Sequence, residues 1–242
     1  MNRNRRYTSL RDIEEENDQL RQMLIQAGVE ARAHSVAAKL QTALIGELHH
    51  RVKNVLAIAS AITSHSMREA NSLEDAAATI ASRFHALGIS HDLLIREGWT
   101  GAGCRTLIEN AILAFQTEGL KQFSISGDNL AISSGPTVEL SMVLHELCTN
   151  ALKHGALSTP NGRISITWSV DETTERFKLQ WIESGGPAVA EPMQRSFGTR
   201  FINQALPGQL AGTPRLQFLP SGLVCNIDVP VNSMQEPTMR LA

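Results

Sequence analysis

Residues 144–154 read Leu-His-Glu-Leu-Cys-Thr-Asn-Ala-Leu-Lys-His, and this stretch decides the fold of the second half of the chain. Leu140, Leu144, Leu147 and Ala151 recur at helical spacing, so Pro136 to His154 reads as one amphipathic helix with its proline in the first turn. Glu146, Asn150 and either Lys153 or His154 then share the face opposite the apolar stripe. A carboxylate and an amide one turn apart offer oxygen ligands for Mg²⁺, which binds through few protein groups plus substrate phosphates.

Downstream of this helix the pattern changes to alternation. Arg163–Val170, Phe177–Glu183, Arg215–Leu219 and Val224–Val229 read as strands, as does Phe123–Ser126 upstream. Thr106 to Phe115 reads as a further helix. Helices grouped with mostly antiparallel strands predict a two-layer α+β sandwich. The segment Trp181-Ile182-Glu183-Ser184-Gly185-Gly186-Pro187 ends a strand with a carboxylate and then paired glycines, which let backbone approach a flat ligand closely. Glu183 there is placed to accept a hydrogen bond from a nucleobase amino group. Ser196-Phe197-Gly198-Thr199 enters a short helical stretch, Arg200 to Ala205, whose N-terminus suits an anion. No GxxxxGK[ST] loop is present.

Upstream, Leu10 to Ser66 is one long helical pattern without proline. Leu10, Ile13, Asn17, Leu20, Leu24 and Ala27 lead in the same register to Ile45, Leu48, Val52, Val55, Ala59 and Ile62. Asn17 at an a position suits register fixing in a two-stranded pairing, whereas His34 and Gln41 at d positions weaken the seam. Within Glu47-Leu48-His49-His50-Arg51-Val52-Lys53-Asn54, the register turns His50 away from that seam. Glu47 and Asn54 lie one turn to either side on its face, and Arg51 and Lys53 add positive charge. Ser72 is a candidate N-cap for a second helix, with Glu74 and Asp75 in its first turn. Ile80, Phe84, Leu87 and Leu94, with Ala77 and His91, give that helix one face. Two such helices from each of two chains would close a four-helix bundle. Glu97-Gly98-Trp99-Thr100-Gly101 is a turn-rich hinge, and Asn232 to Ala242 reads as a loose tail.

The bulk numbers exclude several classes. The 242 residues are 42% hydrophobic and 19% charged, ordinary globular values. A net charge of −2 argues against nucleic acid as the main partner. No apolar run approaches the roughly 20 residues of a membrane span, and no secretory leader is evident. Cys104, Cys148 and Cys225 form neither a disulfide framework nor a CxxC pair, which fits a reducing compartment and a cytoplasmic location.

Taken together and in this order, these blocks resemble the HWE family of bacterial sensor histidine kinases, from about Leu44 to Pro230. Glu47 to Asn54 resembles the family's H-box, which places the phosphoacceptor at His50 rather than His49. His145 matches the N-box histidine, and Trp181 and Glu183 match the W-x-E of the first glycine box. Arg83-Phe84-His85-Ala86-Leu87, His91-Asp92-Leu93-Leu94 and Trp99 follow the family's second helix and its exit.

The resemblance implies a dimeric four-helix histidine-phosphotransfer bundle followed by a GHKL (Bergerat-type) α/β sandwich that binds ATP. The expected division is 1–43 as an N-terminal coiled-coil segment, 44–98 as the phosphotransfer helices, 99–231 as the ATP-binding domain and 232–242 as a tail. The implied cofactors are ATP and Mg²⁺. Glu146 and Asn150 would work at Mg²⁺ and the triphosphate, with Lys153 and His154 nearby. Glu183 would recognise adenine, and Gly185, Gly186, Phe197, Gly198 and Thr199 would line the nucleotide and its lid. Either Glu146 or Glu47 would hold the tautomer of His50. The implied activity is autophosphorylation on His50 and transfer to an aspartate of a response-regulator receiver domain. A homodimer and a separate sensory partner on the N-terminal helix are expected. The alternative is a histidine phosphotransferase relay with a degenerate nucleotide site. A further reading is a coiled-coil adaptor that uses the same fold for protein contacts. One departure stands out: the second glycine box reads G-F-G-T in the family, and Ser196 replaces its first glycine. Were that position left-handed, serine would cost roughly 1 kcal/mol.

Overall fold

The structure, a computed structural model, describes residues 4–70, 72–117, 119–189, 212 and 214–235. It divides into two compact units, residues 1–60 and 61–242. The first unit is helical throughout its described part. Helix α1 (Asn4–Glu69) runs on from it without a break, as the proline-free pattern requires. Within the first unit the heptad positions Ile13, Leu20, Leu24, Ile45, Leu48 and Val52 are all exposed.

The second unit begins with the last turns of α1, where Ile62 and Ser66 are buried. Helix α2 (Leu73–Arg96) follows, capped by the Ser72 hydroxyl, which accepts from the Asp75 amide at 3.1 Å. It ends in consecutive left-handed residues, Gly98 (φ 63°) and Trp99 (φ 64°), with the Trp99 amide donating to the Leu94 carbonyl at 2.7 Å. The sequence places the turn correctly, but the buried face of α2 differs from expectation. Ala76, Arg83, Ala86, Leu87, Ser90, Leu93 and Leu94 are buried, whereas Phe84 is 40% exposed. The face is rotated because a buried arginine, not a phenylalanine, finds its partner there.

Beyond the turn come β1 (Gly101–Gly103), α3 (Cys104–Leu113), β2 (Phe123–Gly127), β3 (Ala131–Ser133), α4 (Ser134–His154) and a 3-10 turn at Ala156–Ser158. Strands β4 (Arg163–Asp171), β5 (Arg176–Ser184), β6 (Arg215–Leu219) and β7 (Gly222–Pro230) follow, then a short helix α5 (Val231–Gln235). The main sheet has five strands in the order β2-β4-β5-β7-β6, and β1 pairs with β3 separately. All main-sheet pairs are antiparallel except β2 with β4, which is parallel. One sheet face alternates inward, as Ile164, Ile166 and Trp168 on β4 and Phe177, Leu179 and Trp181 on β5 show. Helices α3 and α4 cover it through Leu107, Ile108, Leu140, Leu144 and Leu147. This is the expected two-layer sandwich. The start of the expected tail is instead ordered: α5 docks through Met234, whose carbonyl accepts from the Ser133 hydroxyl at 2.9 Å.

Candidate functional site

Period-2 alternation carries Phe177, Leu179 and Trp181 into the core, and the next inward position on β5 is Glu183. A carboxylate only 3% exposed at the end of a core strand needs donors. The Trp181 indole N–H donates to Oε1 at 3.1 Å, and the Ala156 amide donates to Oε2 at 2.9 Å. Ala156 opens the 3-10 turn just past α4, so Glu183 ties the strand to the helix end. Gly155 makes the approach possible, since a Cβ there would run into Oε2 of Glu183. Burial pushes the Glu183 carboxyl above its ordinary range, and the two N–H donors pull it back. Beyond it Gly185 takes φ 69°, and its carbonyl accepts from the Thr159 hydroxyl at 3.0 Å.

The middle of α4 faces α2. Arg83 donates from Nε to Oε1 of Glu146 at 2.7 Å and from Nη2 to Oε2 at 3.0 Å, a bidentate pair with Glu146 4% exposed. Nη1 of Arg83 donates to the Ser66 hydroxyl at 2.7 Å. The preceding residues meet as well: Oγ of Ser82 lies 3.0 Å from Nε2 of His145. The Phe115 ring packs edge-on against that imidazole, 5.3 Å between centroids. Burial lowers the His145 pKa, with Arg83 and His85 adding to the effect and Glu146 opposing it. The ring is therefore neutral near pH 7.

Residues 47–129 match the family model described as HWE histidine kinase. The blue-light-activated histidine kinase of Brucella anthropi is 37% identical over 189 residues, covering 77% of this chain and 38% of that protein. That of Brucella ovis is 34% identical over 205 residues, covering 84% of this chain and 42% of its own length. The chain belongs to the HWE histidine kinase family. It spans about two fifths of the length of these curated relatives. Among solved structures, the blue-light activated histidine kinase of Erythrobacter litoralis superposes with a TM-score of 0.54 at 19% identity, over 79% of this chain and 63% of that one. The histidine kinase domain of the same protein gives 0.52 at 18%, over 64% and 76%. These two show a shared fold.

The HWE letters acquire physical content here. The tryptophan and glutamate of W-x-E, Trp181 and Glu183, are inward neighbours on β5 joined by a hydrogen bond. The N-box histidine, His145, is a buried contact to α2. Asn150 is half-buried one turn beyond Glu146, and Lys153 and His154 are exposed in the last turn of α4. Gly185 and Gly186 follow β5. Ser196, Phe197, Gly198 and Thr199 lie outside the described residues. Glu47, His50 and Arg51 are described only as helical backbone of α1.

The donor set fits a nucleobase better than it fits a metal. Glu183 keeps unused lone pairs beside backbone that Gly155 lets approach closely. No group of three metal-ligating side chains occurs among the described residues. Asn150 suits an ion carried by phosphates, but Glu146 does not suit it while both its oxygens are engaged by Arg83. The sequence placed Glu146 and Asn150 on the face opposite the apolar stripe. What it did not show is that α4 is buried nearly all round from Pro136 to Cys148, with that face lying under α2 at Glu146. Reading the sequence alone overlooked Ser66, Ser82 and the role of Arg83. The available signal was Arg83 sitting seven residues after Ala76 and seven before Ser90, in a row of small side chains.

Proposed function

We propose that this chain transfers the γ-phosphoryl group of ATP to His50 and passes it to an aspartate of a response-regulator receiver domain. The observation that carries the reading is Glu183, a buried carboxylate held by Trp181 and Ala156 at the end of α4. Family membership is the setting for it. In this reading Glu183 accepts from the adenine amino group, while Gly185 and Gly186 let the purine lie against backbone. Asn150, Lys153 and His154 run from there along α4 toward the triphosphate. Phe197, Gly198 and Thr199 belong to the same reading as nucleotide-binding residues. Mg²⁺ would neutralise phosphate charge during transfer.

An unprotonated imidazole nitrogen of His50 attacks the γ-phosphorus in line, the bond from that phosphorus to the β-γ bridging oxygen breaks, and ADP leaves. The protein's contribution is positioning and charge neutralisation. The division at residues 43, 98 and 231 into coiled coil, phosphotransfer helices, ATP domain and tail belongs to the same reading. The exposed heptad row Leu20, Leu24, Leu48 and Val52 supports pairing of α1 with a second copy of the chain. A separate sensory partner on the N-terminal helix is part of the proposal. Three buried free cysteines suit a reducing compartment.

Labelled ATP and thermal unfolding test the nucleotide site together. The wild type is expected to take up γ-label on histidine and to be stabilised by ATP with Mg²⁺. Glu183→Ala and Asn150→Ala are expected to lose both. A chain that ATP does not stabilise would instead be a histidine phosphotransferase relay.

A further inference from the structure

Consecutive residues of α2, Ser82 and Arg83, meet consecutive residues of α4, His145 and Glu146. Arg83 also reaches back to Ser66 at the end of α1, so one guanidinium joins three helices. The pair it makes with Glu146 is almost fully buried, with side-chain exposures of 7% and 6%. Such pairs are not needed for stability, because well-packed apolar residues serve as well or better. Its cost in desolvation calls for another explanation.

Location supplies one. Glu146 lies one turn from half-buried Asn150, on the side of α4 where the triphosphate is read to lie. A guanidinium fork suits phosphate oxygens as well as it suits a carboxylate. A carboxylate freed from it is an oxygen ligand for a cation on those phosphates. Nucleotide and cation together therefore offer both partners of the pair a replacement.

We infer that Arg83 is a latch: it withholds Glu146 from the nucleotide-bound cation in the resting chain, and Mg²⁺·ATP opens the α2–α4 contact by taking both partners. Regulation then lies inside the kinase unit, and any input that shifts α2 along α4 changes how readily Glu146 is released. The latch rests on the reading of α4 as the nucleotide helix.

The test uses the full chain and a non-hydrolysable ATP analogue. Hydrogen exchange of α2 around Arg83 is followed without ligand, with analogue alone and with analogue plus Mg²⁺, while thermal shift reports whether the analogue binds. The latch predicts that α2 amides lose protection only with analogue and Mg²⁺ together. Binding that leaves α2 exchange unchanged overturns the latch but not the nucleotide site. Absence of binding overturns the nucleotide site and the latch with it. In parallel, Arg83→Lys keeps the charge and breaks the fork, and Ser66→Ala removes only the third contact. For Arg83→Lys the Mg²⁺ concentration giving half-maximal label uptake is expected to fall roughly tenfold, the worth of one charge-assisted hydrogen bond. Ser66→Ala should move it the same way by less. An unchanged or higher Mg²⁺ requirement in Arg83→Lys, with unfolding temperature preserved, makes Arg83 a structural contact and sinks the idea.

Discussion

Glu146 and Glu183 are both buried carboxylates of one compact unit, the first between α4 and α2 and the second at the end of β5, and they are satisfied in different ways. Glu183 is held by two neutral N–H dipoles, so its negative charge stays available to a ligand. Glu146 is held by a full positive charge in a fork that occupies both oxygens. On the proposed function the first arrangement is a preformed recognition group, and the second is neutralised and waits for a competitor. The same side chain would then serve binding or gating according to whether its partners are dipoles or an ion.

The largest effect should come from breaking the ionic case. Arg83→Ala strands the Glu146 charge in the core and is expected to cost about 3–5 kcal/mol, read from urea unfolding. The double change Arg83→Met with Glu146→Leu should recover most of that stability, while remaining unable to take up label. If the double variant is as unstable as the single one, the pair is a structural requirement and the contrast with Glu183 fails. Next comes the dipolar case. Gly155→Ala drives a methyl into Oε2 of Glu183 and should cost about 1–3 kcal/mol by overpacking, with loss of ATP affinity beyond what stability explains. Trp181→Phe keeps the ring but removes one donor. It is expected to cost about 1 kcal/mol and to weaken ATP binding measurably by calorimetry.

How much of this was legible beforehand follows from what each signal encodes. The alternation Phe177, Leu179, Trp181, Glu183 was readable because strand period is local, and it placed Glu183 correctly. The Ser72 cap was readable for the same reason. Strands β1 and β3 are three residues each, too short to show a period. The parallel pairing of β2 with β4 leaves the same alternation as an antiparallel one, so it is invisible from within either strand. The α2 register was read from hydrophobicity, which ranks Phe84 above Arg83. Burying an arginine becomes sensible only once a carboxylate 63 residues away is known to meet it. Helical period gave the face of Glu146 correctly, but not that a second helix covers that face.

A third carboxylate, Glu139 of α4, marks the limit of the comparison. Oε2 of Glu139 is buried without a hydrogen-bond partner among the described residues, and burial pushes its pKa from 4.5 up to about 8. The folded state thus holds this proton more tightly than the unfolded chain. Stability should fall as pH rises from about 4.5 through about 8, unlike the effect of a carboxylate paired with a cation. Glu139→Gln is expected to change little at pH 4, below the unfolded value, and to raise the unfolding temperature relative to wild type at pH 9. Equal unfolding curves at both values would show that Glu139 is solvated or paired.

Central to the account is phosphoryl arrival at one histidine of α1. The most direct measurement incubates the full chain with γ-labelled ATP and Mg²⁺ and compares wild type, His49→Gln and His50→Gln by acid-labile label. The account predicts label in wild type and His49→Gln and none in His50→Gln, with ATP still stabilising all three. Label on His50→Gln equal to wild type would contradict it.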